Sequence, residues 1–267
     1  MFDDFFEVIL ADDVETREAH HRLRFEVYCR ETGFENSAEF PDGCERDAFD
    51  HTAAHFLVRS RLSEEWIAAM RIVVAPVAEL PLASYLDREY ARGPLHGAEI
   101  SRFCVSPRYR RRTSQQVRIE RQEPGRAADQ APHAESLVPE IRPVSSLLES
   151  RDPWILIGLL RAARQYGEER GIANWFFLAA SSMVSAACAA GFSMSPCGPE
   201  IEHRGRRRAY RFEWDGAENR LAERSPQVAR MFVRRPAYRL GSQFAASPDS
   251  FLCAVSGGAG VQSQVLS

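Results

Sequence analysis

The sequence contains no lysine, and all 34 of its Lys and Arg positions are arginine. This excludes chemistry that needs a lysine side chain, including Schiff bases, pyridoxal phosphate anchoring and a phosphate-binding loop of the lysine-containing type. Because a guanidinium does not deprotonate in proteins, every basic patch of this chain is permanently cationic. Codon bias toward arginine is the simplest explanation of the composition itself.

Long apolar runs and paired-cysteine motifs are also missing. No stretch approaches the roughly 20 apolar residues of a membrane helix. The longest, Trp154 to Leu160, lies inside an amphipathic pattern. The six cysteines form no C-x-x-C pair, and the amino terminus is acidic where a signal peptide needs a basic start. We therefore expect a soluble, cytoplasmic protein with mostly buried thiols.

The charges are unevenly distributed along the 267 residues, although the formal net charge is only −3. Residues 1–60 hold 15 acids against 6 arginines, whereas residues 101–126 hold 8 arginines against 2 acids. Residues 200–239 hold 11 arginines against 6 acids. This asymmetry indicates two kinds of partner, a cationic or amine ligand and an acidic macromolecule.

Hydrophobic periodicity and turn residues predict alternating strands and helices. The predicted elements are a strand at Phe5–Leu10, a helix from Val14 to about Thr32, a hairpin of Ala54–Val58 and Trp66–Val74, a strand at Ala98–Val105, a helix from Pro153 to about Gly171, a strand at Ile172–Ala180, a helix at Met183–Ala190, strands at Ser193–His203 and Arg207–Trp214, and a helix over 217–234. This order predicts an α/β (α+β) fold, with a mixed central sheet and helices on both faces.

The domain organisation follows from where this periodicity stops. Residues 113–150 are rich in Gln, Glu, Pro, Ser and Arg and carry no regular apolar spacing, which predicts a mobile insertion. We therefore predict a single domain over residues 1–235 and a loosely ordered tail over residues 236–267.

Three short clusters combine charged and aromatic residues: 24–28 with Phe34, 45–50, and 99–103. Taken singly, each has an ordinary explanation as a solvated loop or surface, and Glu99 and Arg102 fall on opposite faces of an ideal strand. Arg71 is different because it lies inside an apolar strand. A charge there needs an anionic partner, and the acids that precede it in the sequence are the obvious source.

In their order and spacing, these clusters resemble the acyl-homoserine-lactone autoinducer synthases, which belong to the GNAT superfamily together with the N-acyl amino acid synthases. The overall resemblance is to the acyltransferases of PEP-CTERM/exosortase systems. The positions that meet the family pattern are Arg24, Tyr28, Phe34, Glu45, Asp47, Asp50, Arg71, Glu99, Ser101 and Arg102. Tyr28 and Phe34 keep the aromatic character of the family but not its residue types. The motifs span residues 15–110, and the strand–helix order continues the resemblance to about residue 214.

The resemblance implies a GNAT-like acyl-CoA N-acyltransferase fold and transfer of a fatty acyl group from a thioester to the amine of a small molecule, an amino acid or an S-adenosylmethionine-like compound. A carboxylate acting through water can take the proton of the amine, and Glu45 and Glu99 are equal candidates for this catalytic role. The implied substrate-binding positions are Arg24, Tyr28, Phe34, Asp47, Asp50, Arg71, Ser101, Arg102, Phe103, Cys104 and Val105. Among them, a backbone amide near Phe103–Val105 would stabilise the oxyanion. No permanently bound cofactor and no metal ion are expected.

The segment after Val105 indicates which donor delivers the acyl group. Ser106-Pro107 resembles the start of the acyl-CoA loop of the superfamily, but arginines follow where CoA enzymes have glycines. Such loops are typical of autoinducer synthases that take their acyl group from acyl carrier protein. An acidic carrier protein would dock on Arg108, Arg110, Arg111 and Arg112. Acyl-phosphopantetheine on that carrier is therefore the expected donor, ahead of acyl-CoA.

Other functions remain as alternatives. An acetyl-CoA-dependent N-acetyltransferase is disfavoured by the missing glycines. A non-catalytic module that binds an acyl group or its carrier is disfavoured by the presence of both candidate bases. A thiol enzyme built on Cys29, Cys44 or Cys104 lacks a nucleophile signature. The arginines have no nucleic-acid-binding motif around them, and neither the acidic loop nor the histidines show metal-binding spacings.

Overall fold

The computed structural model describes residues 2–91, 96–112 and 153–243. The strands are β1 Phe6–Leu10, β2 Ala54–Ser60, β3 Trp66–Pro76, β4 His96–Val105, β5 Trp175–Ala179, β6 Ser193–Glu202, β7 Arg206–Glu213 and β8 Arg239–Leu240. The helices are α1 Phe2–Phe5, α2 Val14–Phe25, α3 Arg88–Ala91, α4 107–112, α5 Pro153–Arg170, α6 Ser181–Ala190, α7 Ala217–Arg224 and α8 Pro226–Phe232. The predicted insertion at 113–150 lies outside the described residues.

The eight strands form one mixed sheet in the order β6-β7-β5-β4-β3-β2-β1-β8. Neighbouring strands are antiparallel except at two places, where β4 pairs with β5 and β1 with β8. Helices pack on both faces, so the predicted α/β fold class is confirmed. None of the helices within the described ranges is both long and apolar enough to cross a membrane.

The α5 face of the sheet holds the larger apolar core. Phe56, Met70 and Ile72 from β2 and β3 pack with Ile155 and Leu159 of α5, and all five are fully buried. Side chains alternate along a strand, so the residues between these apolar ones point to the opposite face. This alternation directs Arg71 of β3 away from the main core.

The opposite face carries two smaller apolar clusters. Under α2, Leu23 and Val27 pack on Leu57 of β2. Toward the other edge, residues 77–91 cross the sheet in short 3₁₀ turns and α3, and Leu82 packs there near Phe176 of β5. Arg71 lies on the part of the face between these two clusters.

Two elements in the C-terminal half of the chain differ from the sequence predictions. The helix expected over 217–234 is divided into two at Ser225-Pro226. Proline is tolerated in the first turn of a helix, but in the interior it removes a backbone hydrogen bond and clashes with the preceding turn. Residues 236–243 were expected to begin a loose tail. Instead, Arg239–Leu240 adds β8 beside β1, and Tyr238 packs edge-on against Phe56.

Candidate active site

A buried network of arginines and carboxylates forms between α2, the loop at 45–51 and strands β3 and β4. Arg24 of α2 is fully buried, pairs with Glu45, and binds both carboxylate oxygens of Asp50, at 2.7 and 3.1 Å. Arg71 Nη1 lies 2.5 Å from Asp47 Oδ1 and 3.0 Å from Asp50 Oδ1. The acids before Arg71 in the sequence are therefore its partners, as the sequence analysis expected.

A β-bulge adds Arg102 to the same network. The β3–β4 register shifts between Ala69 and Arg71, and Arg102 has a left-handed backbone with φ of 51°. Two consecutive residues can therefore reach the same side, which an ideal strand would not allow. Ser101 Oγ accepts a hydrogen bond from Arg71 Nε at 3.2 Å, and Arg102 Nη2 donates to Asp47 Oδ2 at 3.0 Å.

The loop at 45–51 is shaped by its own carboxylates. Asp47 caps the short 3₁₀ turn Ala48–His51, and Asp50 Oδ2 accepts the Asp47 N–H at 2.7 Å in a capping box. Burial alone would raise the pKa of Asp50, but hydrogen bonds and charges from Arg24, followed by the charge of Arg71 and the Asp47 N–H, hold the pKa well below its usual value. Asp50 is therefore ionised at neutral pH and stabilises both guanidiniums.

Glu45 is fully occupied by ion pairs. Its Oε2 contacts Arg24, and its Oε1 accepts a hydrogen bond from Arg102 Nε at 3.2 Å. Both oxygens of this buried side chain thus bind permanently charged donors. The geometry supports a structural role in the network more than proton transfer.

Glu99 lies in a different environment on the same face. It is 4% exposed, opposite Val73 in the register and beside the apolar cluster of residues 77–91. Its Oε2 accepts the Leu82 backbone N–H at 2.7 Å. Burial raises the pKa of Glu99 to about 7, against smaller opposing effects of that hydrogen bond and of the charges of Arg71 and Arg102. A carboxylate that titrates near neutral pH suits a general base.

Aromatic side chains border the network. Tyr28 lies in a π-helical segment, Glu26–Glu31, that continues α2. Its hydroxyl donates to the Phe103 carbonyl at 2.9 Å, and the Arg102 guanidinium lies 5.7 Å from its ring centroid. Phe34 is farther out, 39% exposed, and the Arg204 guanidinium lies 5.7 Å from its ring.

Glu35 and Arg204 were not among the residues predicted from the sequence. Glu35 accepts from Arg102 Nη2 at 3.3 Å and pairs with Arg204, which has a φ of 53° in the turn between β6 and β7. The only signal for Arg204 was the basic run that contains it. With this pair included, the network holds four guanidiniums and four carboxylates, so its formal charges balance. The excess of acidic residues in 1–60 therefore gives the network no net negative charge.

Strands β4 and β5 separate beside the bulge. Their described ladder joins Ala98–Ile100 to Trp175–Phe177, although β4 continues to Val105. Ser106 N–H donates to Ile67 of β3 at 2.7 Å, so by alternation the Val105 N–H points to the opposite side, where β5 has departed. This places an amide of the predicted oxyanion region at the opening between the strands.

The cysteines near the site do not have the properties of nucleophiles. Cys104 is buried under α2, and burial raises the pKa of its thiol to about 12. Burial also raises the pKa of Cys29. Because the thiolate is the nucleophile, these shifts disfavour a thiol enzyme.

The predicted docking arginines follow Val105 in α4. Arg110 pairs with Glu31 and donates through Nε to the Val105 carbonyl at 3.2 Å, and Arg112 pairs with Glu65. Arg108 and Arg111 are exposed. Two of the four predicted arginines therefore form ion pairs within the chain, and one of these two, Arg112, is exposed like Arg108 and Arg111.

Comparison with known proteins places this site in a family context. Residues 23–120 match a family model described as an acetyltransferase (GNAT) domain. That range contains Glu99, α4 and every member of the network except Arg204. No curated protein matches the sequence.

Solved structures share the fold at low sequence identity. The CoA-dependent acyl-homoserine lactone synthase BjaI, solved with MTA, has a TM-score of 0.54 and 16% identity, and the match covers 88% of this chain and 92% of BjaI. The synthase LasI has a TM-score of 0.50 and 16% identity over 78% of this chain and 89% of LasI. FeeM, an N-acyl amino acid synthase from uncultured soil microbes, has a TM-score of 0.50 and 13% identity over 85% of this chain and 97% of FeeM.

These comparisons confirm the predicted GNAT-like fold, and the domain match confirms the predicted enzyme class, an acyltransferase. At 13 to 16% identity, these three structures show the shared fold alone.

Proposed function

We propose that this chain is an N-acyltransferase that moves a fatty acyl group from a thioester to the amine of a small molecule, an amino acid or an S-adenosylmethionine-like compound. The observation that carries the proposal is the placement of Glu99, a buried carboxylate with a pKa raised to about 7, next to a charged network inside an acetyltransferase domain. From the resemblance of its motifs, we also propose that the chain is one of the acyltransferases of PEP-CTERM/exosortase systems.

The reaction needs a base, an oxyanion donor and a positioned amine. Glu99, acting through water, takes a proton from the substrate ammonium, and the free amine attacks the thioester carbonyl. The backbone N–H of Val105 stabilises the resulting oxyanion at the opening between β4 and β5. The attack forms the C–N bond. Collapse of the tetrahedral intermediate re-forms the carbonyl and breaks the C–S bond, and the thiolate leaves as a thiol with the proton that the attacking nitrogen loses.

The arginine–carboxylate network positions the acceptor. Its members come from α2, the 45–51 loop, β3 and β4, so the network fixes these elements relative to Glu99. Tyr28 ties the π-helical segment to the bulge through the Phe103 carbonyl. A rigid frame of this kind lowers the entropic cost of holding an amine near the thioester.

Acyl carrier protein is the donor in this proposal, and the support for it is electrostatic. Arg108 and Arg111 are exposed on α4, directly after the strand end that carries the oxyanion amide. Fixed positive charge at that position attracts an acidic carrier and orients its phosphopantetheine arm toward β4. Acyl-CoA is the competing donor.

The proposal is tested by identifying the product. The full chain is incubated with long-chain acyl carrier protein, the matching acyl-CoA or acetyl-CoA, each with amino acids or S-adenosylmethionine, and the products are identified by mass spectrometry. We expect an N-acyl product together with thiol release. Acetyl transfer from acetyl-CoA alone would show an N-acetyltransferase instead, and carrier binding without turnover would show a binding module.

A further inference from the structure

Three histidines form a cluster behind the network that no step of the proposed reaction uses. His20 and His21 lie on α2, and His55 lies on β2. Their ring centroids are 4.7 to 5.7 Å apart, and each ring offers a nitrogen within 4.8 Å of the others. His20 and His55 are buried, whereas His21 is partly exposed and connects the cluster to solvent.

Hydrogen bonds to backbone carbonyls orient two of the rings. His20 Nε2 lies 3.3 Å from the Met70 carbonyl oxygen, and His55 Nε2 lies 3.3 Å from the Asp50 carbonyl oxygen. A carbonyl can only accept, so in each ring Nε2 carries the proton and Nδ1 keeps its lone pair. In metal-binding histidines, the ring nitrogen that does not bind the metal commonly donates its N–H to a carbonyl or a carboxylate.

The remaining nitrogens are buried and have no partner among the described residues. They are Nδ1 of His20, Nε2 of His21 and Nδ1 of His55. A buried polar atom that makes no hydrogen bond destabilises the folded state, and native proteins rarely leave several of them together. Three such atoms in one cluster point to a bound group that would satisfy all of them.

We propose that His20, His21 and His55 bind one divalent transition-metal ion of the Zn²⁺ type, with solvent at a fourth position beside His21. Imidazole nitrogen is a preferred ligand of such ions. Metal–nitrogen bonds of about 2.0–2.1 Å place tetrahedral ligands about 3.4 Å apart, so the rings close by up to roughly 1.5 Å around the ion. Rotation of the side chains can supply that movement.

Charge near the cluster is compatible with a cation. Arg24 lies one helical turn after His20, but Glu45 and Asp50 neutralise its guanidinium. Asp50 Oδ1 also lies 3.7 Å from His55 Nε2, where it would stabilise positive charge on a metal-bound imidazole.

The position of the cluster indicates a structural role. The Glu45 N–H donates to the His21 carbonyl at 3.1 Å, and the Asp50 carbonyl contacts His55. An ion bound here joins α2 to β2 and fixes both ends of the loop that supplies Glu45, Asp47 and Asp50. It would act by positioning the network and would not contact the reacting atoms.

Metal binding is tested on the full chain after chelator treatment. Co²⁺ serves as a spectroscopic probe and Zn²⁺ as its competitor. We expect one ion per chain, a tetrahedral Co²⁺ absorption band and nitrogen without sulfur in the X-ray absorption spectrum. His21→Ala, at the partly exposed position, should keep the fold and lower affinity at least tenfold, whereas His51→Ala at an exposed position in the nearby loop should not change it.

These readouts do not require enzyme activity, so they are independent of the proposed reaction. Binding that fails in the folded parent protein at tenfold excess of Co²⁺ would overturn the metal site. Sulfur ligands in the X-ray absorption spectrum would also overturn it. So would a double variant, His21→Ala with His55→Gln, that binds the ion with the affinity of the parent protein. Circular dichroism shows that each protein is folded.

Discussion

Glu45 and Glu99 are both buried carboxylates of the site, but their neighbours differ. Glu45 accepts from two guanidiniums. Glu99 accepts the Leu82 N–H and a hydrogen bond from Ser101, and it pairs with no guanidinium among the ion pairs described. Charged donors favour the ionised form, and apolar surroundings favour the neutral one. Burial raises the pKa of Glu99 to about 7, so Glu99 can exchange a proton at physiological pH.

Glu99→Gln is expected to lower kcat by about 10²- to 10⁴-fold, the usual contribution of a general base. In the parent enzyme, kcat/KM should fall about tenfold per pH unit below pH 7, because the pKa of Glu99 is raised to about 7 and only the ionised form accepts a proton. The pH–rate profile with a small thioester donor measures this. An acidic limb that persists unchanged in the variant would exclude Glu99 as the base.

Stability supplies a control for the same variant. The raised pKa means that the folded state favours neutral Glu99, so this contribution to stability is full below about pH 4.5 and is lost as the pH rises through about 7. Glu99→Gln stays neutral, so it should be more stable than the parent above pH 7. Glu79 is an exposed carboxylate in the 77–91 segment that crosses the sheet. Glu79→Gln should therefore change neither kcat nor the stability above pH 7.

At the residue scale, the sequence predicted most of the network but not the choice of base. Arg71 could be assigned acidic partners because a charge inside an apolar strand must be paired. Glu99 could not be preferred over Glu45, because its pKa depends on burial and on the Leu82 N–H, which comes from another segment. Glu35 and Arg204 were missed because only the tertiary structure joins their loops.

At the scale of elements, α2 is held to the sheet by both apolar packing and ions. Leu23 packs into the cluster beneath the helix, while Arg24 binds the 45–51 loop. The helix then continues as a π-helical segment that places Tyr28 over the bulge. π-Helical segments are rare in proteins as a whole, and those that occur are often found at functional sites.

Arg24→Met is expected to destabilise the protein by about 3–5 kcal/mol, because it leaves Glu45 and Asp50 buried without their cation. Arg22→Met on the same helix removes an exposed pair with Glu18 and should cost no more than about 0.5 kcal/mol. Urea unfolding at pH 7 compares the two. Equal losses would show that the Arg24 ion pairs contribute no more than a surface pair.

Element boundaries were predictable where the periodicity is long and regular. The hairpin of β2 and β3 and the helix α5 follow from their apolar spacing and, for α5, a proline in the first turn. The bulge at Arg102 was not predictable, since arginine is not a residue expected at positive φ. The crossing segment at 77–91 was missed because its turns are too short to show a period.

At the scale of the whole molecule, positive charge lies close to the proposed site. Arg108 and Arg111 are exposed on α4, which follows the end of β4 in the chain. An acidic carrier that approaches this edge is attracted by these charges, and salt weakens that attraction. The binding of a small thioester should depend much less on ionic strength.

Arg108→Glu combined with Arg111→Glu should raise KM for acyl carrier protein about tenfold or more and leave KM for a small acyl thioester unchanged. Arg206→Glu with Arg230→Glu makes the same charge change at exposed positions on β7 and α8 and should have little effect. Kinetics at two salt concentrations measure both. An equal rise for both donors would contradict a carrier-docking role, and no rise would place the carrier elsewhere.

The guanidiniums of the network have one more consequence for an enzyme that handles activated acyl groups. A thioester acylates free amines held close to it, and a lysine beside the donor would compete with the substrate and modify the protein. Arg24, Arg71 and Arg102 supply the positive charge of the site without an acylatable nitrogen, since a guanidinium keeps its proton. With no lysine in all 267 residues, the chain offers its donor no side-chain amine, which protects it from acylating itself.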